Sequence, residues 1–341
     1  MDLSTRYLGL DLRNPLVASA SPLSHTADGV RALADAGVGA VVLFSLFEEQ
    51  LRREAAQNAA LADAGTESFA ESLSYFLDDA AADPGPRRYL SLLERAAAAV
   101  DIPVIASLNG STTGGWTDYA IALERAGAAA IELNIYYLPG DPPRSSPSPF
   151  LPGRDVEQRH VEILTTVKAV VKVPVAVKMS PYYSSTGEMA LRLDRAGADG
   201  LVLFNRFLQP DIDPEALAVS GGFGLSSPAE ARLPRAWIAL LAGRVDASLA
   251  ATTGVEDASD VARYLLAGAD VVMTASALLR HGPRHAGVLL DGLSAWMQRK
   301  GFATMADARG LLAVPATGQA AFERAGYVTA LQAANESSGP W

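Results

Sequence analysis

Four segments of the chain share one hydrophobic rhythm. Ala36-Gly-Val-Gly-Ala-Val-Val-Leu-Phe44, Ala126-Gly-Ala-Ala-Ala-Ile-Glu-Leu-Asn134, Ala196-Gly-Ala-Asp-Gly-Leu-Val-Leu-Phe204 and Ala267-Gly-Ala-Asp-Val-Val-Met-Thr-Ala275 each put a Gly where a helix would end and then run apolar for the length of a strand. Amphipathic stretches such as Asp118–Arg125, Glu188–Arg195 and Ala258–Leu266 precede them. A second kind of apolar run lies between: Ile102-Pro-Val-Ile-Ala-Ser-Leu-Asn109, Val173-Pro-Val-Ala-Val-Lys-Met179 and Ser248-Leu-Ala-Ala-Thr252. With Asn14-Pro-Leu-Val-Ala-Ser19 at the start, the pattern predicts eight strands alternating with helices. Near-continuous apolar strands separated by helices form a parallel sheet covered by helices. Eight such units point to an α/β fold of the closed (β/α)8 TIM-barrel kind. A doubly wound open sheet is the alternative, since strand count alone does not close a sheet. A Gly-x-Gly-x-x-Gly fingerprint after the first strand, which a Rossmann domain would need, is missing.

The rest of the chain decorates this frame. Thr5–Leu12 alternates around Gly9 and Asp11 as a short N-terminal hairpin closing the barrel floor. Phe47–Arg88 is a loop insertion whose first part, Glu48–Ala62, reads as helical and whose last part, Asp78–Arg88, reads as an exposed loop. Leu138–Arg154 is rich in Pro, Ser and Gly, and Gln209–Pro228 is a second excursion with Gly221, Gly222 and Gly224. Arg284–Lys300 reads as a final helix, and Thr304 to about Ala334 as a helical appendage with a frayed end. The expected division is a barrel over residues 1–310 and a C-terminal helical extension of the same domain over 311–341.

Composition narrows the functional classes. The chain has 341 residues, is 49% hydrophobic and carries a formal net charge of −10, which disfavours non-specific nucleic-acid binding. Cysteine is absent, which removes disulfides, thiolate metal sites, iron–sulfur clusters and a Cys nucleophile together. The start, Met1-Asp-Leu-Ser-Thr-Arg-Tyr-Leu-Gly9, has neither a basic region nor an apolar run of a signal peptide, and no apolar run reaches the roughly 20 residues of a membrane span. The expectation is a soluble cytoplasmic protein with no membrane or nucleic-acid partner and no metal.

In a barrel of this kind the functional groups sit at the carboxyl ends of the strands. Those ends carry Ser19 to Ser21, Ser45, Asn109, Asn134, Lys178, Asn205, Thr252 to Gly254, and Ala275-Ser276. Lys178 is the most informative. A lysine ending a buried strand is costly unless it faces an anion or an electron-rich ring, so it reads either as a cation beside a cofactor or substrate, or as a salt bridge with Glu132 inside the barrel. Asn109, Asn134 and Asn205 offer the donors and acceptors that suit a planar heterocycle carrying imide groups. Thr253-Gly254 and Ala275-Ser276, with Gly222-Phe-Gly-Leu-Ser-Ser-Pro228, offer backbone and hydroxyl donors to a phosphate.

Together these residues resemble the dihydroorotate dehydrogenase family, from Asn14-Pro-Leu-Val-Ala-Ser-Ala-Ser21 to about Gly310. The matching pieces are Glu132-Leu-Asn134, Val177-Lys178, Asn205, Leu225-Ser-Ser-Pro228, Thr252-Thr-Gly254, Ala275-Ser276-Ala-Leu278 and Gly301-Phe-Ala-Thr-Met-Ala-Asp307. The resemblance implies an FMN-dependent oxidoreductase of pyrimidine synthesis that binds a small-molecule substrate and forms a homodimer. By the same resemblance Ala20 and Ser21 line the flavin, Ser45 belongs to the cofactor site, and Asn109, Asn134 and Lys178 approach the isoalloxazine, with Lys178 near its N1–O2 edge, where it stabilises the reduced anion. Ser227, Thr253, Gly254, Ala275 and Ser276 hold the phosphate, and Asn134 with Asn205 bonds an orotate-like substrate. Three positions depart from the family pattern. Tyr137 stands where the family carries its Cys or Ser base, and a tyrosine is only roughly one part in a thousand ionised at pH 7. The Asn that follows in the family's loop is missing from Leu-Pro-Gly-Asp-Pro-Pro143, and Phe44 replaces a lysine found after the second strand. Dihydroorotate or a related cyclic amide is therefore the expected substrate. A flavin-binding protein without dihydroorotate activity and a non-flavin, phosphate-binding barrel enzyme remain the competing readings.

Overall fold

A computed structural model describes residues 1–50, 86–110, 116–136, 150–206, 211–220, 224–315, 326–333 and 336. Among them, eight parallel strands close into a barrel: β3 (Leu16–Ala18), β4 (Ala40–Phe47), β5 (Val104–Gly110), β6 (Ala130–Ile135), β7 (Val175–Met179), β8 (Gly200–Leu203), β11 (Ser248–Ala251) and β12 (Val271–Thr274), with β12 returning to β3. The open-sheet alternative is excluded by that last pairing. Helices α1 (Ala27–Asp35), α2 (Pro86–Ala99), α3 (Trp116–Arg125), α4 (Gly153–Lys168), α5 (Thr186–Arg195), α6 (Arg232–Leu241) and α7 (Ala258–Ala267) each connect one strand to the next. After β12 come α8 (Ser276–His281), α9 (His285–Lys300) and the single turn α10 (Met305–Ala308).

The repeated Ala-Gly has a physical reason. Gly37, Gly127, Gly197 and Gly268, just past α1, α3, α5 and α7, all have φ between 92° and 117°, a conformation that stops a helix and that side chains disfavour. In the last two copies the following Asp ties the new strand to its neighbour. Asp199 Oδ2 accepts from the Val175 N–H at the start of β7, and Asp270 Oδ2 from the Leu249 N–H of β11. The same residues thus end a helix and set the register of the sheet.

Two apolar layers result. One lies between the strands and the helices. The other fills the barrel itself, where Val17, Val42, Ile105, Ala130, Ala176, Val202, Ala250 and Met273 point inward. Tyr7, Leu8 and Leu12, from the hairpin of β1 (Thr5–Tyr7) and β2 (Leu10–Leu12), plug the inner layer from below. The expected floor hairpin is therefore present, and it leaves the opposite, carboxyl end open.

Two expectations need correction. Arg87 and Arg88, read as loop, belong to α2, whose first residue is Pro86; proline suits that position because its missing N–H has no helical partner there. Within Gln209–Pro228, β9 (Asp211–Asp213) and β10 (Ala218–Ser220) pair as an exposed antiparallel hairpin. Only residues 48–50 of the Glu48–Ala62 helix are described, and they are helical; most of Leu138–Arg154 lies outside the described residues. In the C-terminal segment α10 and residues 326–333 are helical, while 309–315 are not. No described helix is long and apolar enough to cross a membrane.

Candidate active site

The register of three strands builds the site floor. Ser107 lies beside Glu132, and Asn109 beside Asn134, which in turn lies beside Lys178. Alternation from inward-facing Ile105, Ala130 and Ala176 turns all five side chains into the barrel near its open end. Next door, β4 breaks register between Val42 and Ser45, and this irregularity turns Ser45 inward. Its hydroxyl meets that of Ser107 at 2.9 Å. Tyr89 of α2 repairs the interrupted ladder: the Ser107 N–H donates to its hydroxyl at 3.0 Å, and the hydroxyl is 3.3 Å from the Ser107 carbonyl oxygen.

Above this floor lies a cavity of about 390 Å³. Ser45, Asn134, Lys178 and Asn205 bound one side, and the Asn205 amide donates to Asn134 Oδ1 at 2.6 Å. Ala20 and Ser21 bound it from the first barrel strand, and Thr253, Gly254, Ala275 and Ser276 from the last two. Two expected members fall outside its lining. Asn109 is half-buried at the end of β5, and the Ser227 N–H and hydroxyl both turn to Glu230. Ser226, rather than Ser227, lines the cavity: its N–H and hydroxyl meet Ser276 Oγ at 3.0 and 2.9 Å, and it accepts from the Gly254 N–H at 3.2 Å. Tyr137 lies outside the described residues.

The turn that carries Thr253 is strained. Thr253 has φ of 84°, rare for a β-branched residue, and costs about 1–3 kcal/mol. The buried Tyr264 hydroxyl holds that conformation by donating to the Thr253 carbonyl at 2.7 Å. Strain retained at a cavity wall points to a role for the wall.

The lining is electrostatically one-sided. Lys178 and Arg206 contribute cationic side chains, whereas no Asp or Glu is among the described lining residues. Arg206 joins the residues expected at the strand ends; its Nε–H donates to Glu230 at 3.0 Å, and its Nη1 reaches the Gly224 carbonyl. Beneath the cavity, Lys178 Nζ is 3.5 Å from Glu132 Oε1. Lys178 therefore makes the contact with Glu132 that one reading expected, and it also lines the cavity. Glu132 is 1% exposed and its Oε2 has no partner among the described residues, as is true of the Tyr7 hydroxyl from the floor hairpin. Burial, and then the charge of Glu132, push the Tyr7 hydroxyl well above the usual tyrosine range. On the α2 side, Phe44 packs edge-on between His25 and Tyr89, with ring centroids at 4.2 and 5.1 Å.

Comparison with known proteins agrees with this geometry. The sequence profile of the family described as dihydroorotate dehydrogenase matches residues 2–297. The chain is 26% identical over 317 residues to the catalytic subunit of dihydroorotate dehydrogenase B (NAD(+)) of Pyrococcus abyssi, covering 91% of this chain and 98% of that one. It is 32% identical over 215 residues to the subunit of the same name from Halalkalibacterium halodurans, covering 61% of this chain and 67% of the relative. A putative dihydroorotate dehydrogenase A (fumarate) of Aeropyrum pernix is 29% identical over 232 residues, covering 66% and 72%.

Proposed function

The chain belongs to the dihydroorotate dehydrogenase family, and from that premise we propose that it is an FMN-dependent oxidoreductase acting on a CH–CH bond of dihydroorotate or a related cyclic amide. One observation carries the reading: a protein of net charge −10 has at its barrel mouth a cavity lined by two cations and no described carboxylate. Each cation also has a carboxylate behind the wall, Lys178 with Glu132 and Arg206 with Glu230. The faces turned to the cavity therefore suit an anion that presents polar edges to the floor without carrying two full free charges. Its volume lies in the range of small-molecule sites.

The residues present fit FMN. Ser276, Ser226, Thr253 and the backbone near Gly254 and Ala275 supply hydroxyl and amide groups for a phosphate. Lys178, Asn134 and Ser45 supply an ammonium, an amide and a hydroxyl for the polar edge of a flavin, with Ala20 and Ser21 along its side. Ser227 and Asn109, expected from the resemblance to join them, are left to supporting roles. When bound, FMN supplies a two-electron acceptor for hydride. The chain does the remainder. Asn134 and Asn205, already joined to each other, orient the substrate's amide and carboxylate groups. The Lys178 ammonium, held in a low-dielectric floor, stabilises negative charge that develops beside it. Tyr137, three residues beyond Asn134, is assigned the proton that leaves the substrate carbon, which it accepts as its phenolate, a form that a nearby cation such as Lys178 would have to favour.

The test is anaerobic mixing of FMN-loaded protein with dihydroorotate. Loss of the oxidised flavin absorbance is expected. A loaded, photoreducible protein that dihydroorotate does not bleach refutes that substrate and leaves the related cyclic amides to be screened. Tyr137→Phe is expected to slow bleaching at least tenfold; an unchanged rate across pH refutes its assignment. Reoxidation by fumarate or by NAD+ then identifies the electron acceptor, for which the named relatives offer both precedents.

A further inference from the structure

Glu132 has no part in the proposed reaction, yet it is a charged group buried inside the barrel. It is 1% exposed, it lies one layer below Asn134 and Lys178 on the inward face, and one of its two oxygens has no partner among the described residues. A buried carboxylate satisfied on one side only is expensive to keep, by about 1–3 kcal/mol for the missing bond alone. Its other oxygen touches Lys178 at 3.5 Å, longer than the 2.7–2.9 Å of a tight charge-assisted bond. Lys178 is therefore paired but not fully consumed, and the same ammonium lines the cavity.

The surroundings leave Glu132 little else to do. Ser107, its neighbour in register on β5, is engaged with Ser45 through its hydroxyl and with Tyr89 through its backbone. Tyr7, whose hydroxyl also lacks a partner among the described residues, closes the floor below. A purely structural role would be met at lower cost by an apolar side chain of similar volume, because a buried ion pair is often no more stable than its hydrophobic substitute.

We propose that Glu132 is a positioning residue for the cavity: it draws the Lys178 ammonium toward the floor and offsets part of its charge, and so sets how strongly Lys178 favours a reduced, anionic flavin above it. The inference rests on the proposed FMN site and deepens it. With Glu132 charged, Lys178 offers a bound flavin only part of a positive charge. With Glu132 neutral, the whole charge faces the ring, and the reduced form gains.

The experiment is spectroelectrochemical titration of FMN-loaded wild-type, Glu132→Gln and Glu132→Asp proteins. Glu132→Gln keeps the shape and removes the charge. It is expected to shift the two-electron equilibrium toward reduced flavin at least tenfold, about 30 mV. Glu132→Asp keeps the charge but withdraws it by one methylene, and is expected to shift the equilibrium in the same direction by a smaller factor; it carries the test if the Gln variant does not fold. Because Glu132 acts through Lys178, adding Glu132→Gln to Lys178→Met is expected to move the equilibrium less than threefold. An unmoved potential in both single variants, or an equal shift in the Lys178→Met background, overturns the inference while leaving the FMN reading intact. A wild-type protein that takes up no FMN overturns the reading itself, and the inference with it.

Discussion

Two glycines with nearly the same backbone conformation should respond very differently to alanine. Gly254 has φ of 69° and Gly9 has φ of 73°, so both are left-handed and both impose about 1–2 kcal/mol on any L side chain. They differ in the space around them. A Cβ on Gly254 would lie 2.6 Å from the Ser227 carbonyl oxygen and 2.9 Å from the Ala231 nitrogen and Cβ, where no flexible side-chain end can yield. A Cβ on Gly9, in the floor hairpin, would meet nothing within 4 Å. Overpacking against fixed backbone adds about 1–3 kcal/mol. The expected cost is therefore about 2–5 kcal/mol for Gly254→Ala and about 1–2 kcal/mol for Gly9→Ala, each lessened by the same few tenths from a stiffer unfolded chain. At about 2–4 °C per kcal/mol for large domains, the unfolding midpoints of the two variants separate by several degrees. Ligand affinity should separate further. The Gly254 N–H donates to Ser226, which braces Ser276, so displacing Ser227 disturbs the proposed phosphate end. An FMN titration followed by flavin fluorescence is expected to show at least a tenfold loss in Gly254→Ala and no change in Gly9→Ala. Equal loss of stability in the two variants would refute the packing argument. Wild-type FMN affinity in a destabilised Gly254→Ala would refute the assignment of that turn to the phosphate.

Three other outcomes follow from the same geometry. Lys178→Met leaves Glu132 buried without its cation, and denaturant unfolding should show a loss of about 3–5 kcal/mol, whereas a loss below 1 kcal/mol would mean the pair is not coupled. Tyr89→Phe leaves the Ser107 N–H unpaired beside the β4 irregularity and should cost about 1–3 kcal/mol by the same measurement. Burial pushes His160 and His25 below the ordinary histidine range, so the unfolded chain binds protons that the native state refuses once pH falls below about 6.5. Stability is then full above that pH and declines as pH falls toward the native values; comparing unfolding midpoints at pH 7.5 and 5.5 should show the decline, and His160→Gln should reduce it.

Much of the barrel was legible because one group of residues does two jobs. The Ala-Gly pairs end helices in a conformation that glycine alone adopts freely, and the apolar runs after them have strand length, so the eight strands and the helices between them stand out. Lys178, Asn134 and Asn205 were legible for a related reason, since a polar group ending a buried strand advertises a partner. The remainder depends on backbone direction in irregular segments. Which of two adjacent serines faces the cavity is decided by the turn before α6, where Glu230 captures Ser227 and leaves Ser226 to Ser276. The β4 irregularity that turns Ser45 inward has no signature in a run whose one polar residue is Ser45 itself, and its repair by Tyr89 comes from a helix more than 40 residues away. The hairpin of β9 and β10 leaves little trace in the sequence because each strand is only three residues long and neither buries a face. Arg206 was hidden by its ordinary appearance beside Asn205, and only the cavity reveals that it faces the same space.

The central claim is that the cation-lined cavity at the barrel mouth binds FMN. Titrating flavin-free protein with FMN, and following both fluorescence quenching and the visible absorption band, tests it most directly. The account predicts saturation at one FMN per chain, weakened by Gly254→Ala and preserved by Gly9→Ala. A signal that follows free FMN with no saturation would contradict it.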